Sequence, residues 1–120
     1  MRFLIVESDG HVRRRLLQSL SGKGCLVDMV FNMEDAFILF ERFTYSVIII
    51  GSGFSDHCTG AMLRAVRGSA SMRSILMRTA NASVAMHSPV LEADGYLDVT
   101  LCEEQMSAVW AALARGKAPV

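Results

Sequence analysis

Neither sign of charge dominates the 120 residues: Lys and Arg number 12, and so do Asp and Glu. A protein that grips nucleic acid through its phosphates needs a basic footprint, so a balanced chain argues against direct nucleic-acid binding. Also missing is any apolar run near the roughly 18 residues that a membrane span requires. The opening MRFLIVESDG carries an acid and a turn where a secretory leader would carry a small-residue cleavage site. The expectation is a cytoplasmic protein with no membrane partner. Cys25, Cys58 and Cys102 are odd in number and lie far apart with no C-x-x-C, which fits reduced thiols serving as small apolar residues better than a disulfide framework. No internal repeat or low-complexity tract breaks the chain. At 52% hydrophobic residues the composition is not that of a disordered segment. The length fits one domain with one core, bounded here as residues 1–116 with a tail or the start of a linker at 117–120.

What is present is an alternation of short apolar runs and helical patterns. Phe3 to Val6 is apolar with β-branched members, and Asp9 then precedes HVRRRLLQSL, where Val12, Leu16, Leu17 and Leu20 recur at helical spacing. Gly22 and Gly24 stop that helix, and CLVDMV reads as a second strand. Asn32 and Asp35 open a second helix, with Ala36, Phe37, Phe40 and Phe43 along one side. Val47 to Ile50 is apolar at every position, as a strand covered on both faces must be. Ala61, Met62, Ala65 and Val66 mark a third helix, and SILM a fourth strand. A weak helical pattern over 81–92 is interrupted by Pro89, and Tyr96 to Val99 is a fifth strand. Thr100 and Glu103 satisfy the T-x-x-E capping box of a last helix from Leu101 to Arg115, in which Met106, Val109, Trp110 and Leu113 keep helical spacing. Five strands alternating with five helices is the signature of an α/β fold, a doubly wound five-stranded parallel sheet of the flavodoxin-like kind.

The run GSGFSDHCTG, Gly51 to Gly60, poses the question of a phosphate-cradling loop. Gly51 and Gly53 supply only the first half of a G-x-G-x-x-G fingerprint, Asp56 stands where the third glycine belongs, and no P-loop lysine is present. His57 and Gly60 match the second half of the D-x-H-x-x-G loop of cobalamin-binding modules, but Ser55 replaces its aspartate. His57 and Cys58 have no partner at metal-ligand spacing. The expectation is therefore no cofactor and no metal, with a small-molecule- or nucleotide-binding module using the Gly51–Gly60 loop as the rival reading.

The order of elements and several short motifs together resemble the receiver domain of bacterial two-component response regulators along essentially the whole chain. RFLIVESDGHVRRRLLQSL is similar to the receiver opening, in which the first strand ends at an acidic pair. YSVIII followed by position 51 is similar to the third strand ending at the phosphoacceptor aspartate. Thr79-Ala80 is similar to the hydroxyl motif closing the fourth strand, and ADGYLDVTL to the segment holding the switch aromatic, the active-site lysine and a proline.

Carried over residue by residue, the resemblance implies a degenerate phosphorylation site at Glu7, Ser8, Gly51, Thr79 and Val99. Receivers hold Mg²⁺ with their acidic pair and the phosphoacceptor, because a hard cation takes several oxygen ligands. Here Glu7 keeps one acid and Ser8 replaces the other. Gly51 has no side chain to act as nucleophile, Val99 stands for the lysine, and Thr100 for the proline. Two carboxylates about 4 Å apart repel by roughly 1–4 kcal/mol, so these losses relieve strain and imply stability insensitive to Mg²⁺. Thr79 and Tyr96 keep the residue types that couple phosphorylation to output. The implied switch and output surface comprises Tyr96, Thr79, Leu101, Met106 and Trp110, on the fourth helix, fifth strand and fifth helix, a face that commonly forms homodimers. Asp56 is expected as a turn or cap, Asp9 as a helix cap, and Arg13 to Arg15 as a solvated face. Arg78 is expected to snorkel off the end of its strand, with the alternative that its guanidinium lies across the vacated pocket and pairs with Glu7 or Asp98. The function implied is that of a non-enzymatic, phosphorylation-independent signalling domain acting through protein contact. It would serve as the N-terminal domain of a transcription regulator or as a stand-alone adaptor in a phosphorelay.

Overall fold

The computed structural model describes residues 1–69, 72–78, 93–98 and 103–114. Five parallel strands form one sheet: β1 (Arg2–Val6), β2 (Leu26–Val30), β3 (Val47–Ile50), β4 (Arg73–Arg78) and β5 (Gly95–Asp98), in the order β2-β1-β3-β4-β5. The helices described are α1 (Gly10–Leu20), α2 (Met33–Arg42), α3 (Asp56–Arg67) and α4 (Glu103–Ala114). Successive side chains of a strand point to opposite faces, and β3, like β1 from Phe3 on, is apolar on both. Phe3, Ile5, Val47, Ile49, Ile75 and Leu97 pack with Leu16 and Leu20 of α1 and Met106 and Trp110 of α4. Leu4, Val6, Ile48 and Ile50 pack with Met33 and Ala36 of α2 and Met62, Leu63 and Val66 of α3. The chain is thus a doubly wound α/β sandwich, as its unbroken apolar strands require.

Local chemistry sets most boundaries. Asp9 Oδ1 accepts from the backbone N–H groups of His11 (2.8 Å) and Val12 (3.2 Å) and caps α1. Asn32 Oδ1 accepts from Asp35 N (2.8 Å) at the start of α2. The turn after α1 needs the left-handed region at Gly22 (φ 76°) and Gly24 (φ 70°).

Two expectations change. Helix α3 begins at Asp56, because Ser55 Oγ accepts from Cys58 N (3.2 Å) and caps it; His57 to Gly60 are therefore helical, and the loop after β3 spans only 51–55. Phe43 is not on the inner side of α2: its backbone N–H closes the helix on Leu39 O (3.0 Å) and its ring is exposed. Strand β5 is described from Gly95 to Asp98, and Val99, expected as its last residue, lies outside the described residues. The helix expected over 81–92 and the Thr100 capping box lie outside the described residues.

Below the sheet, Asp28 of β2 accepts from the Tyr45 hydroxyl (2.6 Å) and from Arg2 Nε (2.9 Å), with Arg2 Nη2 at 2.8 Å. The Tyr45 hydrogen bond, followed by Arg2, holds the Asp28 carboxyl below its usual range against the opposing effect of burial. Burial, and then Asp28, pushes the Tyr45 phenol well up. A depressed carboxyl contributes stability that is present above its unfolded value, about 3.9, and is lost as pH falls through the folded one. A raised phenol contributes stability that is present below about 10 and is lost as pH rises further. Tyr45→Phe is expected to lower stability at neutral pH by about 1.5–3 kcal/mol and to flatten both limbs, measured as urea unfolding from acid to alkaline pH.

Candidate functional site

In an open parallel sheet, ligand sites form beyond the carboxyl ends of the strands where the strand order reverses. Here that point lies between β1 and β3, which pair from Phe3↔Val47 to Val6↔Ile50. The ladder continues past both strands, with Glu7 N donating to Val30 O (3.1 Å) and Gly51 N to Val6 O (2.8 Å). Glu7, Ser8 and Gly51 are thereby brought side by side, as the sequence expected.

The geometry between them is tight. Glu7 is only 2% exposed, and its carboxylate lies over the α-carbon of Gly51. A β-carbon on Gly51 would sit 2.5 Å from Glu7 Cδ and 2.8 Å from Oε1, separations no side chain tolerates. Two residues on, a β-carbon on Gly53 would meet Ser8 Oγ at 2.7 Å. The two glycines let the loop 51–55 close against the end of β1, and the Glu7 side chain fills the space that any side chain at 51 would need. Burial pushes the Glu7 carboxyl up. The backbone N–H groups of Asp9 (Oε2 at 3.5 Å) and Ser8 oppose this in part, the charge of Asp9 adds to it, and that of Arg13 counters it.

Asp9 turns its carboxylate onto the first turn of α1, whose N–H groups of Val12 and His11 hold it below the usual range. Its Oδ1 is committed to capping. Asp56, as the first residue of α3, sits at a helix start. Arg13 was missed: within RRR it was expected to be solvated, yet Nη1 donates to Glu7 O (2.9 Å) and Ser8 O (3.0 Å), and its guanidinium lies 3.9 Å from the centre of the Phe31 ring. This one side chain ties the β1–α1 turn to the end of β2. The available signal was its place three residues before Leu16, on the buried side of α1.

The expected output residues divide. Tyr96 is half-buried against the α2–α3 layer, and its hydroxyl accepts from Ala93 N (3.3 Å). Met106 and Trp110 are not on a surface: both are buried against α1 and the sheet. Their i, i+4 spacing defines the inward face of α4, which rules them out as residues presented to a partner. Thr79, Val99 and Leu101 lie outside the described residues, and so does the expected reach of the Arg78 side chain. Arg78 itself ends β4, in register with Asp98.

No protein-family model and no curated protein matches the chain. Solved structures do. A two-component response regulator from Clostridium difficile is 22% identical with a TM-score of 0.79, over 96% of this chain and 96% of that one. A response regulator receiver protein from Burkholderia phymatum is 15% identical with a TM-score of 0.77, over 99% and 98%. An atypical orphan response regulator, described as having a phosphorylation-independent regulatory mechanism, is 17% identical with a TM-score of 0.76, over the full length of both chains. The fold is that of receiver domains.

Proposed function

We propose that this chain is a receiver-type signalling domain that acts through protein contact and does not accept a phosphoryl group. The observation that supports this reading is the seating of the buried Glu7 carboxylate against the α-carbon of Gly51, at the end of β3 where the receiver resemblance puts the phosphoacceptor. A nucleophile needs a side chain there, and a divalent cation needs several oxygens turned toward it. Gly51 offers none and Asp9 turns away. The orphan regulator with a phosphorylation-independent mechanism gives this reading a precedent in the same fold. Such a domain serves as the regulatory part of a transcription regulator or as an adaptor, and its contacts with protein partners carry the signal.

Incubation with acetyl phosphate and Mg²⁺, followed by intact-mass measurement, is expected to leave the mass unchanged, and millimolar Mg²⁺ to leave the melting temperature unchanged. A phosphoryl adduct, or a clear Mg²⁺-dependent rise in melting temperature, would overturn the proposal.

A further inference from the structure

The large apolar side chains exposed among the described residues are Met1, Leu17, Leu26, Phe31, Ile38 and Phe43. All six belong to the first 43 residues, which supply the β2 end of the sheet with its helices α1 and α2. Leu26 lies on the β2 edge and is 66% exposed; its N–H donates to Met1 O (3.0 Å), and Phe31 follows the strand. Leu17, 50% exposed, stands on α1 beside a groove of about 440 Å³ that Leu20, Cys25 and Val27 also line. Ile38, also 50% exposed, is on α2. Phe43 carries the Arg2 guanidinium 4.1 Å from its ring centre, and Arg2 pairs with Asp28 of β2. Among the described residues, strand β2 pairs with β1 and with no other strand. Edge strands left open are usually guarded by charge, yet this one is flanked by apolar residues.

Charge identifies the occupant. On one side of the sheet, α1 (GHVRRRLLQSL) has three arginines and no acid, with Arg14 exposed. On the other side, α2 (MEDAFILFER) has Glu34, Asp35 and Glu41 exposed against Arg42 alone. A surface basic above the sheet plane and acidic below it is complementary to itself. An isologous pair needs that property. A two-fold axis normal to the sheet would set α1 against α1 and α2 against α2, like against like. An axis parallel to β2 sets the basic helix of each copy against the acidic helix of the other. Both helices start at the same end of the sheet. Arg14 then comes level with the first turns of the partner's α2, and Leu17 and Ile38 each lie between about one and two turns down their helices.

We propose that two copies of this chain associate through the β2 edge, about an axis parallel to the strand. Leu17, Leu26 and Ile38 form the apolar centre, and Arg14 faces the acidic start of α2 of the other copy. This goes beyond the contact function proposed above and stands independently of the phosphorylation test. It also lies at the opposite edge of the sheet from β5 and the face beside it that the receiver resemblance suggests for dimers.

The test is sedimentation equilibrium of the 120-residue chain and its variants over a wide concentration range. The parent chain is expected to dimerise. Leu26→Lys is expected to abolish the dimer while the variant keeps the circular-dichroism spectrum of the folded chain, since the side chain is exposed in the monomer. Arg14→Glu alone and Glu34→Arg alone each create two like-charge contacts per dimer and are expected to weaken association more than about tenfold. Mixing those two variants restores both contacts and is expected to return the affinity to near the parent value. A parent chain that is monomeric throughout, a dimer that survives Leu26→Lys, or a mixture no tighter than its components overturns the proposal.

Discussion

Trp110→Ala is expected to destabilise the domain by about 3–5 kcal/mol, the range for emptying a buried aromatic site. Against a total stability of about 5–15 kcal/mol for a domain, that is among the largest losses a single substitution here can cause. Trp110 is 2% exposed, meets Phe3 edge-on (centroids 5.7 Å apart, planes at 83°) and donates from Nε1 to Ser19 Oγ at 2.7 Å. The Ser19 hydroxyl in turn donates to Leu16 O at 2.7 Å. Sheet, α1 and α4 therefore meet at this indole. Trp110→Phe separates the two contributions: it keeps most of the apolar contact and loses the hydrogen bond, for about 0.5–1.5 kcal/mol plus the void left by the smaller ring. Urea unfolding followed by circular dichroism measures both. A loss under about 1 kcal/mol for Trp110→Ala would contradict the packing described.

The second large effect is expected at Gly51. A methyl group there requires the Glu7 carboxylate to leave its place, and overpacking of this kind costs about 1–3 kcal/mol. In a Glu7→Ala background the same Gly51→Ala substitution is expected to be nearly neutral, so that the double-mutant cycle gives a coupling close to the whole single-mutant cost. Equal costs in both backgrounds would show that Glu7 does not occupy the space over Gly51. The pH dependence follows from the raised Glu7 carboxyl. When a carboxyl binds its proton more tightly in the folded state, the stability it contributes is complete below the unfolded value, about 4.3. It is lost as pH rises through the folded one. Glu7→Gln is expected to remove that loss, so the parent-minus-variant difference in stability falls with rising pH and then levels.

Much of the fold was legible because a parallel sheet writes itself plainly. VIII at 47–50 has no polar position, which only two covered faces permit, and Asp9 and Asn32 were readable as caps. The candidate site was legible in part. Glu7, Ser8 and Gly51 were placed together by the ends of β1 and β3. The filling of the gap by Glu7 was not, since it depends on a side-chain rotamer rather than on spacing. Arg13 was missed because composition treats three consecutive arginines alike, whereas a helix turns each one about 100° from the last. Met106 and Trp110 were read through a family surface when their own periodicity placed them inside. His57 to Gly60 were taken for loop because the glycines drew attention away from Ser55, the residue that starts the helix.

The bond from Trp110 to Ser19 joins residues 91 positions apart. At about 5–20 residues per second on the ribosome, Ser19 is made roughly 5–18 s before its partner. During that interval α1 is without α4, and Phe3, Leu16 and Leu20 lack the indole that later packs beside them. The chain must keep this apolar layer from other proteins until its last described helix arrives. The interval, rather than the finished structure, is when the molecule is most open to misassembly.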